Sequence, residues 1–247
     1  MTRHLTILTI ILLQCGFLKC QVNFHGSFLM SFSTPELKNT ENSLLWNVED
    51  TSDTSRIAIE IQDEMKKKGV SKRILFSPPD SNWTMLMSFN KVKQGTRIKA
   101  PAMYRDDKPL KDYEIRSTNS RKTIDSVKCI KVIVETKNNI SEVWLAEKIN
   151  FNLAGNYHLL SHCGMIGDIV RQGDWFKITT FDKMIMEVKN TDRKTGETYT
   201  LHISNLKNEK PGNELFNTGG FLISEIPEGL NCGPIKEADQ TGTTIDK

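Results

Sequence analysis

The stretch TIDSVKCIKVIVETKNNISEVWLAEKINF, Thr123 to Phe151, limits the fold more tightly than any other part of the chain. Its first arm, Ser126 to Glu135, is dense in β-branched residues: Val127, Ile130, Val132, Ile133 and Val134. Such side chains pack well on a pleated surface and lose rotamer freedom in a helix. Its second arm is Ser141 to Ala146, and Lys137-Asn138-Asn139 between the arms is a polar break of the kind that reverses a chain. The stretch predicts two adjacent antiparallel strands, with Val134 within a residue or two of facing Glu142 or Val143.

Period-two alternation recurs along the chain. Phe24, Gly26, Phe28, Met30 and Phe32 alternate with His25, Ser27, Leu29, Ser31 and Ser33. Trp83, Met85, Met87 and Phe89 alternate with Thr84, Leu86 and Ser88; Met184, Met186 and Val188 with Lys183, Ile185 and Glu187; Tyr199, Leu201 and Ile203 with Thr198, Thr200 and His202. Each set marks a strand with one apolar face, and three separate wet apolar faces would be costly, so the first three sets are expected to face one shared interior. Residues 44–48, 56–61, 73–77 and 221–223 are further strand candidates. Asp63 to Gly69 reads as a charged turn or one helical turn closed by Gly69, and Thr191 to Glu197 as a hairpin loop with Gly196 free to take a positive φ. Gln94 to Tyr113 is polar, contains Pro101 and Pro109, and reads as strand fragments and a loop. The spacing of Ala154, Tyr157 and Leu160 predicts a helix over Ile149 to Gly164. The fold class that follows is mainly β (α+β): a curved, largely antiparallel sheet or half-barrel with one or two helices.

Met1 to Cys20 has the form of a signal peptide: Arg3 as a charged head, then an apolar run from Leu5 to Leu13 that is too short for a bilayer span. Cleavage after Cys20 is expected. The rival, a lipid-modified Cys15 or Cys20, is disfavoured because Gln14 or Lys19 precedes the cysteine where a small residue is wanted. Residues 21–234 then form a single β-rich domain, and 235–247 a polar, disordered tail. Removing residues 1–20 takes away Arg3 and Lys19 and no acidic residue, leaving 31 basic against 30 acidic. That balance leaves no net field to steer nucleic acid or an acidic membrane. No later segment is a stable membrane span.

The central stretch carries a resemblance. Thr123, Ile124, Lys128, Cys129, Lys131, Val134, Glu142, Val143, Trp144 and Leu145 follow a pattern similar to the signature of a bacterial secreted family, the domain-of-unknown-function 4412 family. Asn23-Phe24-His25-Gly26 with Phe28 and Met30 resembles that family's first strand, and Trp83-Thr84-Met85-Leu86-Met87 its Met-rich middle strand. The resemblance implies a fold similar to the lipoprotein-carrier (Lol-like) half-barrels. It also implies a place in the periplasm or outer cell envelope of a bacterium.

Chemistry is sparse. His158 and His162 are one helical turn apart, beside Cys163, which suits zinc in kind. Cys163 would point about 100° away from His162, and only Asp168 offers itself as a further ligand, so a surface pair of histidines is the better reading and no metal or cofactor is expected. Cys129, Cys163 and Cys232 are an odd set for a secreted chain. Cys163 and Cys232, each followed by Gly, are the preferred disulfide pair, although spacing does not decide among three bridges. Neither G-x-S-x-G nor H-E-x-x-H occurs, and no enzyme activity is expected. Asn82-Trp83-Thr84 and Asn139-Ile140-Ser141 match the glycosylation pattern of a eukaryotic secretory host.

Three functions remain, in this order. The first is a binding module whose concave face holds a lipid or other hydrophobic small molecule, lined by Phe28, Met30, Trp83, Met85, Met87, Phe89, Met184 and Met186, since Met adapts to varied apolar shapes. The second is a cell-envelope interaction protein with a packed core and no ligand, in which the same residues are ordinary core. The third is a secreted enzyme with an unrecognised site.

Overall fold

A computed structural model describes residues 22–33, 43–50, 55–62, 64–77, 82–99, 112–156, 175 and 181–226. Their strands are β1 (Val22–Asn23), β2 (His25–Ser33), β3 (Ser43–Asp50), β4 (Ser55–Gln62), β5 (Val70–Ser77), β6 (Asn82–Phe89) and β7 (Val92–Lys99). They continue as β8 (Tyr113–Ile124), β9 (Val127–Thr136), β10 (Asn139–Asn150), β11 (Lys183–Asp192), β12 (Thr198–Lys207) and β13 (Leu222–Glu225). A short helix α1 (Glu64–Lys67) joins β4 to β5, and one turn of 3-10 helix spans Asn213–Phe216.

All thirteen strands belong to one sheet, in the order β13-β7-β6-β5-β4-β3-β2-β12-β11-β10-β9-β8 with β1 added to β10. Neighbours are antiparallel except β13 on β7 and β1 on β10. The central hairpin is as expected: Ser141 faces Val134, Glu142 faces Ile133 and Val143 faces Val132. Its loop is Lys137-Asn138, held by the Thr136 hydroxyl, which accepts hydrogen bonds from the backbone N–H of Asn138 (3.3 Å) and Asn139 (3.0 Å). Gly69 and Gly196 take the positive φ their turns require, 81° and 74°.

The sheet is curved. β10 pairs with β11 in continuous register only as far as Trp144, shifts at Leu145 and again before Asn150, which pairs with Lys183 of β11 and with Asn23 of β1. β1 is one residue from β2, yet β2 is three places from β10 in the sheet, so the strands between must arch. The Phe24 N–H donates to the Asn150 carbonyl at 2.9 Å and closes that clasp.

One expectation needs correcting at its start. Ile149 belongs to β10 rather than to a helix; residues 153–156 are helical, and 157–164 lie outside the described residues. Within Gln94 to Tyr113, β7 runs to Lys99 and Tyr113 opens the twelve-residue β8, while 100–111 lie outside the described residues. β8 is the last strand of the sheet and is exposed along most of its length, so it shows no apolar alternation to detect. The leader Met1 to Cys20, the tail after Pro234, and Cys163 and Cys232 lie outside the described residues.

Candidate functional site

Register places the three alternating rows on one side of the sheet. Phe28 faces Trp46, Trp46 faces Ile59, Ile59 faces Ile74, and Ile74 faces Met85. In the other direction Phe32 faces Leu201, and Leu201 faces Val188. Cross-strand partners send their side chains to the same face, so these residues line one continuous concave surface.

That surface is filled over most of its extent. Phe28, Met30, Trp83, Met184 and Met186 are completely buried, and Met85 is partly buried against the same cluster. The filling includes the connection that leaves β10. Phe151, Leu153, Ala154, Trp175 and Phe181 all belong to the core. Phe151 meets Phe24, Phe28 and Trp46 at ring separations of 5.9, 5.8 and 6.3 Å. Phe28 in turn stacks on Trp46 at 5.6 Å, and Phe76 stacks on Trp83 at 3.8 Å. Met87 and Phe89, two and four residues beyond Met85, emerge into solvent at 44% and 48% exposure. The row on β6 is therefore core at one end and surface at the other. The opposite face of β6 is covered too: Leu86 is buried against Gly95 and Ile223, and a Cβ at position 95 would come within 2.9 Å of the Leu86 side chain.

Polar groups punctuate this interior. The Ser141 hydroxyl donates to Asn190 Oδ1 at 2.6 Å, and Asn190 Nδ2 donates to Asn139 Oδ1 at 3.1 Å, all three residues being buried. Asn139 is thus committed to the interior and is no glycosylation acceptor in the folded chain. A recess of about 10 Å³ beside the network, bounded by Phe32, Trp175, Val188, Asn190, Tyr199, Thr200 and Leu201, has room for a single water. By contrast, the indole N–H groups of Trp46 and Trp83 are buried with no hydrogen-bond acceptor among the described residues.

The convex side carries charge. Trp144 lies under Lys122 and Lys131, whose ammonium groups sit 4.4 and 5.7 Å from its ring centre. Lys122 pairs with Glu187 at 2.6 Å, Lys131 with Glu142 at 3.2 Å, and His202 Nδ1 stands 3.6 Å from Glu187. Elsewhere Glu49 is buried and bonded to Arg56 and to Lys210; the Arg56 hydrogen bond above all, against the opposing effect of burial, holds its carboxyl below the usual range. Cys129 is a buried free thiol, its pKa pushed up to about 11, chiefly by burial. A thiol so protonated is a poor nucleophile.

Among the described residues no group of three His, Cys, Asp or Glu side chains could hold a metal ion. His158, His162, Cys163 and Asp168 lie outside them. No described helix is long and apolar enough to cross a membrane. Two features went unread from the chain alone: the lysines over Trp144 and the emergence of Met87 and Phe89. The first required knowing which strands adjoin. The second had a local signal, the run Asn90-Lys91-Val92-Lys93 directly after Phe89, which marks a solvent-facing turn.

No family model and no curated protein matches the chain, so the likeness to the domain-of-unknown-function 4412 family rests on its motif residues alone. Solved structures resemble it distantly. In PNGF-II, in a P21 crystal form, the likeness covers 81% of this chain at 12% identity and a TM-score of 0.42. The chain corresponds to 31% of PNGF-II. A DUF1329 family protein from Desulfovibrio piger matches over 78% of this chain and 88% of its own, at 8% identity and a TM-score of 0.20.

Proposed function

We propose that this is a non-catalytic secreted protein of the cell envelope that acts through its surface, with its concave interior serving as packed core. The observation that carries the reading is the complete burial of Phe28, Met30, Trp83, Met184 and Met186 in one core cluster with the chain's own Phe151, Leu153 and Trp175. A ligand chamber for a lipid would need about 300 Å³ or more, and such residues would line space rather than one another. The leader pattern of Met1 to Cys20 and the motif shared with a bacterial secreted family support the location in the envelope.

A second reading keeps an apolar ligand in the half-barrel, and one observation favours it. Two buried indole donors, on Trp46 and Trp83, lack acceptors among the described residues, and buried donors are normally satisfied. The polar end of a lipid or similar hydrophobic molecule would satisfy them if the interior opened. Native mass spectrometry of protein purified without detergent separates the two. The bare chain mass is the expected result. A lipid-sized mass that survives desalting would replace the packed-core reading with the carrier reading.

A further inference from the structure

Exposed apolar side chains are concentrated at one place. Of the six large ones among the described residues, Met65, Met87, Phe89, Val92 and Leu222 lie at one end of the sheet, and Ile115 alone lies on the far edge strand β8. Register makes four of them neighbours. Phe89 is flanked by Val70 on β5 and Val92 on β7, Met87 by Lys72 and Gln94, and Gln94 by Leu222 on β13. Paired residues share a face, so Met87, Phe89, Val92 and Leu222 stand out together, with Val92 56% and Leu222 74% exposed. Met65 sits on α1, in the turn that leads into Val70.

Lysines crowd the same end. Lys66, Lys67 and Lys68 lie on α1 and its exit, Lys72 on β5, and Lys91 and Lys93 in and after the β6–β7 turn. Among the described residues the local acids are Glu60, 3.8 Å from Lys66, and Glu64 at the start of α1, with Asp63 adjoining in sequence. Lys66 also bonds Gln62, and Lys93 lies over the Phe221 ring at 5.6 Å. Six lysines against three acids leave a local positive balance.

Apolar tips standing among lysines match the surface of an anionic bilayer. The ammonium groups meet headgroup phosphates while the apolar tips reach the acyl boundary. A protein partner fits less well, because protein interfaces are depleted in lysine. We infer that this end of the sheet docks peripherally on an anionic lipid surface, with Phe89 and Val92 entering the interface and Lys68 and Lys91 against the headgroups. The docking surface lies outside the core and does not depend on what the interior holds.

Vesicle co-sedimentation of the full chain tests this. Vesicles of phosphatidylcholine alone are compared with vesicles in which about a quarter is phosphatidylserine, at low and high salt. The chain is expected on the anionic vesicles at low salt and to leave them at high salt. Each lysine near such a surface is worth about a factor of five, so Lys68→Glu with Lys91→Glu should lower partitioning at least about 25-fold. Phe89→Ser with Val92→Ser should lower it about tenfold or more. All four positions are exposed, so both variants should keep the parent's urea midpoint, which shows that lost binding is not lost folding. The apolar run Leu5 to Leu13 is common to parent and variants. Parent and variants binding alike would therefore overturn the inference, and so would failure of the parent to bind anionic vesicles. Equal binding to both vesicle compositions, insensitive to salt, would overturn it as well.

Discussion

Phe151→Ala tests whether the concave face is a packed core. Phe151 is about 5% exposed and lies on the connection that leaves β10, not on the sheet it covers. Its ring meets Phe28 and Trp46 edge-on, at interplanar angles of 69° and 81°, and Phe24 at a tilt of 59°. Removing a buried Phe costs about 3–5 kcal/mol through lost transfer energy and the residual cavity. Each aromatic pair adds roughly 0.5–1.5 kcal/mol beyond area burial, with incomplete additivity. The partners Phe28 and Trp46 are stacked on each other and held in adjacent strands, so they cannot collapse into the space. The upper half of the range is therefore expected, about 4–5 kcal/mol. Phe151→Leu keeps most of the volume and loses the ring contacts, and about 1–2 kcal/mol is expected. Urea unfolding reads both as a fall in midpoint at constant slope. A loss below about 1 kcal/mol for Phe151→Ala would refute the packed-core account, because it would mean that the ring faces space or a displaceable occupant.

Asn190→Ala leaves the Ser141 hydroxyl and the Asn139 side-chain oxygen Oδ1 without their Asn190 partner, and should cost about 1–3 kcal/mol in the same urea assay. Asn190→Asp should be worse, because it adds a buried charge and removes the donor to Asn139. Cys129 should stay unmodified by iodoacetamide in the folded protein at pH 8 and be alkylated once urea unfolds the chain, as read by peptide mass mapping. Its thiol is protonated in the fold up to about 11 but ionises near 9 when unfolded, so between these values the unfolded state binds fewer protons and stability falls as pH rises. A Cys129→Ala variant should show a shallower alkaline loss, and an unchanged slope would refute the assignment.

Strands with one wet face are legible because burial imposes a period of two. β2, β6 and the β9–β10 hairpin were read to within a few residues for that reason. β8 was not, because both its faces are largely wet and its order comes from pairing with β9 along its length. The helix expected over Ile149 to Gly164 begins later than its spacing suggests. Residues 153–156 are helical, but pairing with β1 keeps Ile149 and Asn150 in strand. Local period cannot weigh a partner more than 120 residues earlier in the chain.

The candidate lining was legible in direction and not in extent. Alternation says that Trp83, Met85, Met87 and Phe89 share a face; it says nothing about where the cover over that face stops. The core includes Phe151, Leu153, Trp175 and Phe181, far away in sequence, and along the row Trp83 is fully buried, Met85 partly and Phe89 much less. The same distance hides the basic end. A total of 33 basic against 30 acidic residues averages the chain to near neutrality, and Lys66-Lys67-Lys68 taken alone is an ordinary solvated turn. Only the pairing of β5 with β6, Val70 opposite Phe89, sets that turn beside Lys91, Val92 and Lys93. At about 8–10 Å the screening length in physiological salt is comparable to the separation of adjacent turns, so a surface responds to such a cluster and not to the chain's sum. Net charge therefore excludes long-range steering by the whole molecule while leaving a single lysine-rimmed end able to bind.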